Sequence, residues 1–309
     1  MNAFVLAAGF GTRLQPLTDT MPKPLVPVLN VPSLCYTLFL LKEAGIRKAI
    51  INIHHHPDSI RSFFDQHDFG SLEIVLSEEK TILGTGGGLK KCEKLLDEGD
   101  FLLINSDIIS DIDLSALVSC HEQAGVGGTL ALYETPLAPS IGHVGVRNGR
   151  IHDFRNMRGT GLLSQFIYTG TAVLSPNIFR HLKEEYSGIV DTGFTGLIDH
   201  EGLGFYAHPG FWQDIGTLQN FYRANLDDNL LILELEARMK LQIGIFPHMV
   251  SALASVSRDA RVTGSVIGER CTIAPGAVVE HSVLLPDTVV EPDTVVKNSI
   301  VGPGVFIPL

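Results

Sequence analysis

Short apolar runs alternate with longer amphipathic stretches through the first 130 or so residues, and the two periods separate strands from helices. The pattern predicts strands at residues 4–8, 49–53, 72–76, 101–105 and 129–133, with helices at 33–44, 57–66 and 89–96 between them. Such alternation specifies a Rossmann-like, mainly parallel α/β sheet covered by helices, whose ligands gather at the carboxyl ends of the strands. Beyond residue 133 the pattern loosens. Asn148-Gly149 marks a two-residue hairpin turn, residues 166–174 read as a strand, 176–182 as a short helix, and 217–241 as leucine-rich and helical.

From residue 256 the texture changes again. Val256, Val262, Ile267, Ile273, Val279, Leu284, Val289, Val295 and Ile300 recur every five or six residues, with glycine, Pro-Gly or Pro-Asp between them. An inward aliphatic step with small turn residues between describes a left-handed parallel β-helix of hexapeptide repeats, about three coils long; an ordinary β-hairpin domain is the alternative. So short a prism leaves an end and a flank exposed, so it is expected to be capped or covered by another subunit, giving a homo-oligomer through the β-helix. The expected boundaries are 1–225 for the main domain, 226–250 for a helical connector and 251–309 for the β-helix.

The 309 residues, 45% hydrophobic and 18% charged, suffice for two sizeable cores. A net charge of −11 argues against a broad nucleic-acid surface while leaving room for a local cationic pocket. Cys35, Cys92, Cys120 and Cys271 form no C-x-x-C pair, so neither a zinc site nor a disulfide framework is signalled. The first residues run straight into a strand without a basic n-region, and the apolar stretch 34–41 is too short to span a bilayer, so a cytoplasmic protein without membrane association is expected.

The chemistry concentrates in residues 6–27. Ala8, Gly9, Gly11 and Thr12 follow the first strand as a turn whose N–H groups suit phosphate oxygens, and Arg13 and Lys23 add positive charge, with Pro22 and Pro24 restricting the lysine's backbone. A Walker A loop would need Gly-Lys-Ser/Thr, and Leu14 stands where a dinucleotide fingerprint puts its third glycine. The set G-x-G-T-R followed by P-K-P resembles the signature of the sugar-1-phosphate nucleotidylyltransferases. That resemblance covers the whole chain and implies nucleotidyl transfer from a nucleoside triphosphate to a sugar 1-phosphate.

It implies roles residue by residue. Asp107, closing Asn-Ser-Asp, and Asp214, in Trp-Gln-Asp-Ile-Gly-Thr, match the two carboxylates that bind Mg²⁺ in the family. Leu83 with Gly84, Thr85 and Gly86 resembles the base-binding segment, and Gly145, Thr169 and Gly170 match loops that line the sugar. One segment departs: where many relatives have Phe-x-Glu-Lys, Phe154 is followed by Arg155, Asn156, Met157 and Arg158, so Arg155 or Arg158 is expected to replace the lysine at the sugar phosphate. The pattern resembles the shorter mannose-1-phosphate guanylyltransferase and N-acetylmuramate-1-phosphate uridylyltransferase members. Two other classes compete: a hexapeptide acyltransferase, for which His281 is the only histidine in the repeats, and a non-catalytic nucleotide-sugar-binding regulatory subunit. His54, His55 and His56 end a strand, and neighbours on a strand point to opposite faces, which argues against one metal site.

Overall fold

Nine strands form one mixed sheet, and the first four in chain order carry the parallel half. They are β1 (Asn2–Leu6), β2 (Lys48–Ile53), β3 (Glu73–Glu78), β4 (Phe101–Asn105), β5 (Gly128–Glu134), β6 (Val144–Arg147), β7 (Arg150–Phe154), β8 (Phe166–Leu174) and β9 (Leu203–His208), in the spatial order β3-β2-β1-β4-β8-β5-β9-β7-β6. β3, β2, β1 and β4 run parallel, with Leu6 level with Asn105, so the chain leaves β1 and β4 at the same sheet edge. β8 lies antiparallel between β4 and β5. The computed structural model describes residues 1–227 and 229–309; Asp228, within the expected connector, lies outside the described residues.

The core of this sheet is aliphatic and aromatic because the parallel strands are covered on both faces. Phe4, Ile50, Leu103 and Ala172 are fully buried and belong to a cluster with Leu89, Phe101, Phe179 and Phe194. Each large side chain contributes about 1.5–3 kcal/mol by leaving water. Among the described residues no helix is long and apolar enough to cross a membrane.

Two compact units make up the chain: Met1–Phe10 with Leu40–Trp212, which holds the sheet, and Gly11–Phe39 with Gln213–Leu309. In the second unit, among the described residues, the expected helical stretch holds three helices, Leu218–Leu226, Asn229–Leu233 and Glu236–Ile243. Helix 218–226 opens on Thr217, whose hydroxyl accepts from the Asn220 N–H.

The β-helix is present, and its coil is 17 residues. Strands at 255–256, 272–273 and 289–290 stack in one face, 261–263, 278–280 and 295–297 in a second, and 266–267, 283–284 and 299–302 in the third, all parallel. Ile267, Ile273, Val279, Leu284, Val290 and Val296 fill the interior. Corners fall where the backbone has positive φ: Gly264, His281 and Asn298 in one stack, Gly276 and Asp293 in another. Glycine and asparagine-type residues tolerate that region best. A buried serine column, Ser265, Ser282 and Ser299, threads the third face, each hydroxyl accepting the next serine's N–H at 3.0 and 3.2 Å. Strand Val305–Pro308 folds back antiparallel on Ser299–Gly302 and covers the last coil's edge with the chain's own residues.

Candidate active site

In the second unit, positive φ at Gly11 (+68°) caps the short 3-10 turn Thr12–Leu14 that carries Arg13. A Cβ on Gly11 would stand 2.8 Å from Thr18 Cγ2 and 3.1 Å from Lys23 Cβ, so glycine lets the loop close on the lysine segment. The Thr18 hydroxyl donates to Gly11 O at 2.9 Å. Lys23–Leu25 is another single turn, and the Ser33 hydroxyl donates to Pro24 O at 3.1 Å behind it. The prolines and this bond fix the backbone from which Lys23 projects.

Arg13, Lys23 and Asp214 converge around Gly216. A Cβ there would lie 2.8 Å from Asp214 Oδ1, 3.0 Å from Arg13 Nη2 and 3.4 Å from Lys23 Nζ. The Gly216 N–H also donates to Asp214 Oδ1 at 2.5 Å, which orients the carboxylate. Two cations and a carboxylate thus face the space a side chain would otherwise fill, an arrangement suited to phosphate oxygens and a hard cation.

In the sheet unit, Ser106 and Asp107 leave β4 beside the end of β1. The Ser106 N–H and hydroxyl both donate to Leu6 O, at 3.2 and 2.8 Å, which locks the turn that presents Asp107. Thr169 and Gly170 lie in β8 where its register against β5 shifts, between Tyr168 and Ala172. A Cβ on Gly170 would meet Asn105 Cγ at 2.8 Å, so this bulge rests against the residue two before Asp107. Trp212 Nε1 donates to Thr169 O at 3.0 Å and the indole stacks on Tyr133 at 5.7 Å, bracing the bulge from behind.

Gly84, Thr85 and Gly86 stand in the first turn of a helix, Gly84–Lys91, which begins five residues before the expected 89. The glycine-rich turn is helical because backbone packs directly on it. Gly86 N–H donates to Ser187 O at 2.9 Å, Thr85 Oγ1 accepts from Ile189 N at 2.8 Å, and a Cβ on Gly84 would sit 2.5 Å from Ser187 O. The threonine hydroxyl and the Gly86 N–H therefore already hold the loop at 187–189.

Gly145 packs against Asp153 and Leu162. Asp153 is fully buried; burial acts to raise its carboxyl, but hydrogen bonds from the Arg158 and Thr160 N–H groups and Thr160 Oγ1 outweigh it and hold the group below the usual carboxylate range. That buried carboxylate shapes the loop bearing both arginines. Arg158 is paired through both terminal nitrogens with Asp199, one contact being 3.3 Å. Arg155, at φ +52°, lays its aliphatic stem along Gly142.

His54 to His56 lie just past the end of β2 at Ile53, and the His55 and His56 rings meet at 4.1 Å, so the three do not alternate as neighbours within a strand would. His54 Nδ1 lies 2.7 Å from Glu79 O, and Phe10 packs edge-on against both the His54 and His55 rings. His281 is a corner residue of the β-helix whose ring covers Gly264. Asn52, Glu79 and Tyr133 carry no motif that marks them in the sequence, whereas Gly216 stands in the Trp-Gln-Asp-Ile-Gly-Thr segment. A lone asparagine inside the apolar run Ile50-Ile51-Asn52-Ile53 was the available signal for the first of them.

Residues 2–229 match the family model described as nucleotidyl transferase, and residues 239–309 match that of the GlmU-like C-terminal hexapeptide. The chain is 31% identical to the UTP–glucose-1-phosphate uridylyltransferase of Synechocystis sp., covering 92% of this chain and 82% of that one. It is 30% identical to mannose-1-phosphate guanylyltransferase 1 of Arabidopsis thaliana, covering 92% and 80%. Among solved structures, the UDP-glucose pyrophosphorylase of Acinetobacter baumannii shares the fold, with a TM-score of 0.64 at 21% identity over 76% of this chain and 100% of that one.

Proposed function

The chain belongs to the nucleotidyl transferase family, and from that premise we propose the roles its residues take in joining a nucleoside triphosphate to a sugar 1-phosphate with release of pyrophosphate. The observation that carries the reading is the convergence of Arg13, Lys23 and Asp214 on Gly216. The sugar-phosphate oxygen attacks the α-phosphorus in line and pyrophosphate departs. No general base is needed, because the second ionisation of a phosphate monoester falls near 6, about one unit below neutral pH. Arg13 neutralises the leaving pyrophosphate, and Lys23 the α-phosphate and the incoming phosphate.

Asp107 and Asp214 would hold Mg²⁺. Two carboxylates suit an ion that keeps several waters and takes its remaining oxygens from substrate phosphates, so a larger acidic cluster is not required. When bound, the ion supplies charge neutralisation at those phosphates. Ala8, Gly9, Gly11 and Thr12 cradle the triphosphate, and the segment of Gly84, Thr85 and Gly86 borders the base. Gly145, Thr169 and Gly170 line the sugar. Arg155 takes the sugar phosphate in preference to Arg158, since Asp199 already engages the latter. The substrate pair is GTP with mannose 1-phosphate or UTP with an amino-sugar 1-phosphate, in the cytoplasm, where free thiols such as the four here persist.

A panel of nucleoside triphosphates and sugar 1-phosphates, assayed for pyrophosphate release, tests the reading; silence across the panel refutes it. Asp107→Asn and Asp214→Asn each lose about a hundredfold in kcat, about 2.7 kcal/mol of barrier, with unfolding midpoints unchanged. Near-normal turnover at limiting Mg²⁺ by either variant removes that residue from the assignment.

We assign the catalytic domain to residues 1–225, the connector to 226–250 and the β-helix to 251–309, and the β-helix to homo-oligomer assembly. Val289, Val295 and Phe306 stand largely exposed, one on each face of the last coil, and apolar side chains of this kind are what a second copy would cover. Deleting 256–309 lowers the mass seen by light scattering by more than the deleted segment itself; a fragment with the full chain's subunit number contradicts the assembly role.

A further inference from the structure

Two side chains buried in the sheet unit join segments that the proposed function places at opposite ends of the nucleotide. Asn52 on β2 is 2% exposed and Glu79, just after β3, is 1% exposed. Asn52 Oδ1 accepts the N–H of Ala7 at 2.7 Å, immediately before the phosphate loop. Asn52 Nδ2 donates to Glu79 Oε1 at 2.7 Å, and Glu79 Oε2 accepts the N–H of Leu83 at 2.8 Å, immediately before helix 84–91. Three hydrogen bonds thus run in series from one substrate segment to the other. The backbone of Glu79 adds a parallel tie, since its carbonyl meets His54 Nδ1 at 2.7 Å and the His54 ring abuts Phe10 of the loop. Gly88 makes room for the pair: a Cβ there would stand 2.9 Å from Asn52 Nδ2 and collide with Glu79 Oε1.

A charged group so deeply buried is costly unless every acceptor is used. Here one carboxylate oxygen accepts from the Asn52 side-chain amide and the other from the Leu83 N–H, and Asn52 in turn accepts from the Ala7 N–H, so the series ends on the two segments whose spacing must match a triphosphate and its base. We infer that Asn52 and Glu79 are positioning residues, a buried relay that fixes the distance between phosphate loop and base segment. This inference rests on the nucleotide assignment above.

Its polarity supplies the test. Glu79→Gln sets one amide NH₂ against another donor, and Asn52→Asp sets two carboxylates against each other; each single change breaks a bond in the series. In N52D/E79Q the new aspartate accepts from Ala7 and from the glutamine amide, while the glutamine oxygen accepts from Leu83, so all three bonds return with the central one reversed. Each single variant is expected to raise KM for the triphosphate about tenfold while KM for the sugar 1-phosphate stays within about twofold, and the double variant to return within about threefold of wild type.

A pair that merely holds the fold would lower the unfolding midpoint and leave both KM values of the folded protein alone, which overturns the inference. So does a double variant that is unfolded or keeps the raised KM, and that arm decides the matter even if the singles do not fold. A switch of preferred base in Glu79→Gln also overturns it, by placing the side chain on the base itself. If the nucleotide assignment is at fault instead, wild type releases no pyrophosphate with any triphosphate.

Discussion

Residues 9–11 and 84–88 are both glycine-rich, yet their glycines answer to different neighbours. A Cβ on Gly9 would touch nothing within 4 Å, whereas one on Gly84, Gly86, Gly87 or Gly88 would run into Ser187, Glu185 or Glu79. The first segment is open at Gly9 and closed only at Gly11, by Thr18 and Lys23, whereas the second is closed by the chain at all four glycines. Composition is therefore silent about function in such segments; what matters is whether the vacated volume is already taken. Gly216 is an intermediate case, because its vacancy is bordered by the charged side-chain ends of Arg13, Lys23 and Asp214 rather than by backbone.

The sharpest way to break the contrast is Gly87→Ala. Its methyl meets the carbonyl of Glu185, a backbone group that cannot swing aside, so unfolding in urea should show a loss of about 3 kcal/mol. A loss below about 1 kcal/mol would mean the loop at 185 yields and the segment is less closed than described. Gly216→Ala should reverse the balance, losing about a hundredfold in kcat/KM with stability within about 1 kcal/mol, because the methyl displaces charged side-chain ends and little else. Equal damage to stability and rate would move Gly216 into the closed class. Gly9→Ala is the mildest: stability within about 0.5 kcal/mol and KM for the triphosphate raised about threefold, by crowding of the ligand alone.

The same contrast explains what the sequence disclosed. Strands 101–105 and 166–174 and helix 57–66 were legible to the residue, since each carries its own period and its own turn residues. In the β-helix the step of five or six was legible at Ile267, Ile273, Val279, Leu284 and Ile300, but Val256, Val289 and Val295, expected inside, are exposed, with Val290 and Val296 filling the interior one residue later; the 17-residue coil became visible only through the pairing of its faces. Helix 84–91 was missed at its start because four glycines in five residues oppose helix formation locally. Only contacts from residues a hundred positions away override that preference. Asp107 and Asp214 stand in short motifs that a sequence displays, but Asn52 and Glu79 belong to none and declare themselves only as buried polar groups sharing bonds. Arg155 and Arg158 read alike in the sequence; Asp199, 41 residues on from Arg158, separates them.

The serine column at 265, 282 and 299 makes the β-helix a ruled object with a 17-residue ruling. Length can therefore change only in whole rungs. Inserting one complete coil between two serines would give every new strand a parallel neighbour above and below, and the fold-back strand Val305–Pro308 would close the longer stack as it closes this one. An insertion of any other size would put a corner residue where an aliphatic side chain belongs in all later coils at once. In lineages carrying this architecture, gaps in the tail should come in multiples of one coil, and a library of insertions would recover folded protein at that spacing.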